Sequence, residues 1–102
     1  MKQKKLHYKM AKPFFDKMLQ DPEIRMHYEQ EKAKTHIAYA VKATRTRAGL
    51  TQAQLAKKIG TTQSVIARLE SGTDKRTPSL QLLARIASVC DAELQLGFKF
   101  AS

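Results

Sequence analysis

Between Ala48 and Leu83 the chain reads AGLTQAQLAKKIGTTQSVIARLESGTDKRTPSLQLL, a stretch cut into short pieces by helix caps and glycines. Gly49, Gly60 and Gly72 leave room for only about two or three helical turns between them. Thr51 is suited to cap the first piece, and Gln54 three places later completes the T-x-x-Q form of a capping box. Leu55, Ala56 and Ile59 fall on one face of that helix, which Gly60 ends. Thr62 caps a second helix, about 63–71, with Val65, Ile66 and Leu69 on its inner face and Gly72 at its end. A loop over 73–78 contains Lys75, Arg76 and Pro78. Ser79 then caps a last helix carrying Leu80, Leu83, Ile86, Ala87 and Cys90. Three short helices thus follow one another in quick succession.

Upstream, Asp21-Pro22-Glu23 is a strong helix start: an N-cap, a proline at the first helical position, and an acid at the positive end of the dipole. No Gly or Pro follows until Gly49, so one long helix is expected, or two broken near Thr35. Ile37, Val41, Thr44 and Ala48 form its core face. Before it lie a basic N-terminus, MKQKKLHYK, and an apolar cluster of Phe14, Phe15, Met18 and Leu19, where Pro13 is placed to open a short helix. The tail changes period. From Glu93 to Phe100 polar and apolar residues alternate, with Leu94, Leu96, Phe98 and Phe100 on one face of a strand. A lone strand needs a partner for its backbone groups. The simplest partner is the same strand of a second copy, giving a homodimer; a strand from another protein or an unstructured end are the alternatives. The expected organisation is a basic tail and helical arm over 1–36, a helical domain over 37–91 and a dimerisation strand over 92–102.

Nineteen Lys and Arg face nine Asp and Glu, a net charge of +10. Charge of this size opposes folding and attracts polyanions, nucleic acid first among them. No apolar run is long enough to span a membrane, and no apolar segment follows the basic N-terminus as a secretory signal requires. The single cysteine, Cys90, forms no disulfide within the chain and fits a reducing, cytoplasmic setting. His7, His27 and His36 do not fall at metal-ligand spacing with it, so no metal and no cofactor are expected. Ser64 has no histidine at hand in the pattern, and Asp74 and Asp91 suit loop and cap roles. No catalytic residue is assigned, and an enzyme is not expected.

Two short helices joined by a tight glycine-bearing turn form the arrangement that reads DNA. TQAQLAKKIG followed by TTQSVIARLESG resembles the XRE or lambdoid-repressor class of helix-turn-helix domains in spacing, caps and core positions together, over about Ile37 to Asp91. The expected fold is all-α, lambda-repressor-like, with an N-terminal helical arm and a short C-terminal β-strand. On the second helix Gln63, Ser64, Ala67 and Arg68 share the outward face and hold no carboxylate. Gln63 is suited to pair with adenine and Arg68 with guanine in a major groove, while Ala67 lets the helix sit close. Phosphate contacts are expected from Thr51, Gln52 and Thr62 at helix N-termini and from Lys75 and Arg76 in the loop. For Gln52 and the basic loop this rests on the resemblance. The resemblance also implies a structural ion pair between Arg45 and Glu70.

The order of arm, helix-turn-helix and strand resembles antitoxins of the HigA and HipB type. That implies a dimeric repressor of its own promoter, bound to an inverted-repeat operator, which also neutralises a toxin. For the HigA type the toxin is a small RelE-like, mRNA-cleaving protein. Residues 16–31 hold Asp16, Asp21, Glu23, Glu29 and Glu31 against Lys17 and Arg25, five minus two, or −3, which suits a basic toxin. Helix-dipole complementarity explains the same acids as well. A solitary or phage-type regulator without a toxin remains open, as does an adaptor whose arm and tail recruit another protein.

Overall fold

A computed structural model describes residues 11–100; the N-terminal MKQKKLHYKM, with most of the basic N-terminus, and the last two residues lie outside this range. The described chain holds a helical stretch over 11–18, α1, followed by α2 (Pro22–Arg47), α3 (Gln52–Ile59), α4 (Gln63–Ser71) and α5 (Leu80–Val89). The chain divides into two compact units, Met1–Ala33 and Lys34–Ser102.

In the first unit Asp21 caps α2 through its side chain, its Oδ1 accepting from the backbone N–H of Glu23 at 2.9 Å and of Ile24 at 3.4 Å. The Phe15 and Tyr28 rings meet edge to face, 5.4 Å apart at 80°, the geometry that aromatic quadrupoles favour. The Lys32 ammonium stands 5.8 Å from the centre of the Tyr28 ring. Phe14, Phe15 and Met18 are exposed, so the apolar cluster read from the sequence is not a closed core.

The second unit has a core of Val41 from α2, Leu55, Ala56 and Ile59 from α3, Ile66 and Leu69 from α4, and Ile86 from α5. Leu55 and Ile66 are fully buried. Ile37, Leu50, Leu82, Leu83, Val89 and Cys90 pack around it. Each short helix is bounded by its own chemistry. Thr51 and Gln54 form a reciprocal capping box, Thr62 and Ser79 cap α4 and α5, and Gly60 and Gly72 end α3 and α4 in the left-handed conformation.

Of the two readings of the long segment, the single helix is the one found: α2 runs unbroken through Thr35, because no residue there costs enough to interrupt a helix. Two expectations change. Ala48 does not continue the α2 core face: the helix stops at Arg47, and Ala48 lies exposed in the turn to Gly49. The tail is not a strand. Residues 92–100 carry no regular secondary structure, Leu94 is half-buried, and Leu96, Phe98 and Phe100 are 76%, 93% and 87% exposed. A strand closes its hydrogen bonds sideways, and no second strand is present among the described residues to receive them.

Candidate nucleic-acid interface

The turn between α3 and α4 fixes how the second helix is presented. Gly60 takes φ 77° and ψ 35°, and its N–H reaches the carbonyls of Ala56 and Lys57. Thr61 donates to the Ala56 carbonyl at 2.9 Å. Two residues after Gly60 the chain is extended at Thr62, whose Oγ1 accepts from the Val65 N–H at 3.4 Å and starts α4. With Ile66 and Leu69 buried against α3, helical geometry turns Gln63, Ser64 and Arg68 outward, all exposed, with Ala67 half-buried beside them. The Arg68 side chain folds back along the helix, its Nε donating to the Ser64 carbonyl at 3.3 Å. The guanidinium therefore lies toward the Gln63 end of the exposed face. The first turns of α3, α4 and α5 contain no acid, so nothing on those turns neutralises the positive ends of these helices.

The residues assigned to phosphate fall in three places. Thr51 Oγ1 accepts from Gln54 N–H at 3.1 Å, and Gln54 Oε1 accepts from Thr51 N–H at 2.9 Å. As acceptors, the Thr51 and Thr62 hydroxyls keep their own protons to donate outward. Lys75 and Arg76 are exposed in the loop after α4, where Asp74 Oδ1 accepts from the Arg76 N–H at 3.0 Å. Gln52 is placed differently from its fellows: its Nε2 donates to Glu70 Oε1 at 3.2 Å. That leaves one amide proton for an outside acceptor.

Behind this surface Arg45 and Glu70 form a two-pronged pair, Nε to Oε2 at 2.6 Å and Nη2 to Oε1 at 2.9 Å. Their side chains are 14% and 4% exposed. Arg45 Nη1 also donates to the Leu50 carbonyl at 2.8 Å. One guanidinium thus ties the end of α2 to α4 and to the turn before α3, and Glu70 carries the link on to Gln52 at the start of α3. Burial pushes the Glu70 carboxyl up, but hydrogen bonds from Arg45 and Gln52 and the charges of Arg45 and Lys42 outweigh it, and its pKa is lowered. The bond to Glu70 raises Arg45 further, against the desolvation that opposes it. The place of Gln52 in this network has no signature in the sequence, since 18 residues separate it from Glu70. Burial raises the Cys90 thiol, with the Arg45 charge pulling the other way, so the group rests as a thiol. Among the described residues no cluster of His, Cys, Asp and Glu is arranged to hold a metal, and no helix is long and apolar enough to cross a membrane.

Comparison with known proteins bears on this surface. The helix-turn-helix family model matches residues 41–96. The chain is similar to antitoxin HipB of Escherichia coli K12, 36% identical over 73 residues that cover 67% of this chain and 83% of that protein. It is similar to antitoxin HipB of Escherichia coli O6:H1, 34% identical over 73 residues, covering 67% of this chain and 78% of that protein. It also resembles an uncharacterized HTH-type transcriptional regulator of Archaeoglobus fulgidus, 40% identical over 60 residues, covering 59% of this chain and 83% of that protein. No solved structure matches it.

Proposed function

Because the chain belongs to the XRE-type helix-turn-helix family, we propose that it represses transcription as a homodimer on an inverted-repeat operator and serves as the antitoxin of a toxin–antitoxin pair. The observation that carries the DNA reading is the outward face of α4. Gln63, Ser64, Ala67 and Arg68 stand together there without a carboxylate, on a helix held from behind by the Arg45–Glu70 pair. A helix about 10–12 Å across enters a major groove, and these side chains meet base edges. Thr51, Gln52, Thr62, Lys75 and Arg76 set the register on the phosphates.

The antitoxin role is supported by the two HipB relatives, which are named antitoxins, and by the acidic balance of residues 16–31. A RelE- or HigB-like toxin as the partner follows from the resemblance to HigA-type antitoxins alone. The Archaeoglobus relative, named as a regulator only, supports the second reading, a solitary cytoplasmic repressor.

Selection from a random duplex pool tests the first claim. The selected sites should be inverted repeats, and Arg68→Ala should relax one position in each half-site by about 1–3 kcal/mol. Unchanged affinity and selectivity in that variant would show that α4 does not present its bases' readers through Arg68. Purification from the native host after nuclease treatment tests the second. A stoichiometric small basic partner supports the antitoxin role, and recovery of DNA-dependent material alone supports the solitary repressor.

A further inference from the structure

Beside the exposed face of α4 a small hollow is lined by residues from α2, from the end of α4 and from the loop that follows. Ile37 and Leu69 give it an apolar side, and Lys34, Arg68, Asp74 and Arg76 stand around it. We propose that a deoxyribose–phosphate unit of the DNA backbone lies against the surface around this hollow, with Lys34 as a contact that positions the duplex against α4. This rests on the DNA reading above and extends it to a residue outside the family-matched segment 41–96.

Three observations support this. Lys34 and Arg76 line the hollow with a single carboxylate, Asp74, and basic side chains at such a place suit a phosphate. Asp74 already accepts the Arg76 N–H at 3.0 Å, so its carboxylate shapes the loop while Arg76 remains exposed. Arg68 belongs both to the hollow and to the exposed face of α4, so a duplex lying on that face brings its backbone past the hollow. The mixture of apolar wall and cations matches a nucleotide backbone unit, whose sugar is apolar on its edge and whose phosphate is anionic. A hollow for a free inorganic anion has no use for the apolar side.

The test uses the duplex that the wild-type protein selects from a random pool, with wild type, Lys34→Gln and Asp74→Asn titrated against salt. Lys34→Gln should weaken binding uniformly across sequences and make the log–log salt slope shallower by about 1 per half-site. Asp74→Asn keeps an oxygen to accept the Arg76 N–H and removes the like charge, so it should tighten binding. Replacing single phosphates by uncharged methylphosphonates should reveal one position per half-site at which wild type and Lys34→Gln bind equally. Unchanged affinity and slope in Lys34→Gln, with its thermal melt also unchanged, overturns the inference while leaving the DNA reading intact. Stabilisation of wild type but not Lys34→Gln by inorganic phosphate, without any effect on DNA, overturns it in favour of a free anion. Failure of the wild type to select any duplex sinks the DNA reading and this inference with it.

Discussion

Glu70 shows how one side chain links stability to the presentation of α4. Its carboxylate is almost wholly out of water, and it is ionised because Arg45 and Gln52 both donate to it. Its pKa in the folded chain lies below the ordinary value of 4.5. A carboxyl whose folded pKa is depressed contributes stability above its unfolded pKa and loses that contribution as pH falls through the folded one. Glu70→Gln should therefore lower unfolding stability at pH 7 by about 2 kcal/mol, and the gap to wild type should close as the pH is taken well below 4.5. Urea unfolding at a series of pH values measures both. A gap that stays constant into acid would mean that the loss does not come from the charge of Glu70. Arg45→Lys should not be a mild change, because a single ammonium cannot give the fork to Glu70 and the third bond to the Leu50 carbonyl together.

At the level of the helices, α3 and α4 were legible because what makes them is local. A cap, a box, a buried face and a left-handed glycine all fall within a dozen residues, and Thr51, Gln54, Leu55, Ile59, Gly60 and Thr62 each occupy the place their type suggests. Thr51→Ala should cost about 1 kcal/mol by removing the acceptor for the Gln54 N–H. Gly60→Ala should cost about 1–2 kcal/mol for backbone reasons alone, since φ is +77° and an added Cβ meets nothing within 4 Å. Thermal or urea unfolding checks both, and a neutral Gly60→Ala would mean the turn relaxes to another conformation. What the sequence did not reveal is non-local. Nothing near Gln52 announces its bond to Glu70, and nothing near Lys34 announces that α2 brings it to the same hollow as Arg76. The alternation of Leu94, Leu96, Phe98 and Phe100 is a true strand pattern, but a strand is a property of two chains segments at once, and one copy supplies only one. Ala48 failed for a smaller reason: a periodic face was extended one residue past a helix that the following glycine had already ended.

For the whole molecule, the proposed repression from an inverted repeat asks for two copies of α4 held in register. In the proposed symmetric dimer they would enter successive major grooves, roughly 34 Å apart. The tail is the surface we propose for it: Leu96, Phe98 and Phe100 leave most of their apolar area in water, a state that burial against a second copy would relieve. Each large side chain fully buried in that way contributes about 1.5–3 kcal/mol, and each 1.4 kcal/mol is about tenfold in a dissociation constant. The double change Leu96→Ser with Phe98→Ser should therefore weaken self-association by at least about tenfold in sedimentation equilibrium. The monomer's own unfolding should be unaffected, because neither side chain belongs to the core. Operator affinity should fall with it and become strongly concentration-dependent, while binding to unrelated duplex, governed by the +10 charge, should change much less. Those readouts separate the causes. Loss of operator binding with self-association intact would place the tail on DNA or on another protein. Unchanged self-association and unchanged binding would leave the two recognition helices to be held together by some other surface, and the strand pattern of the tail would have no part in repression.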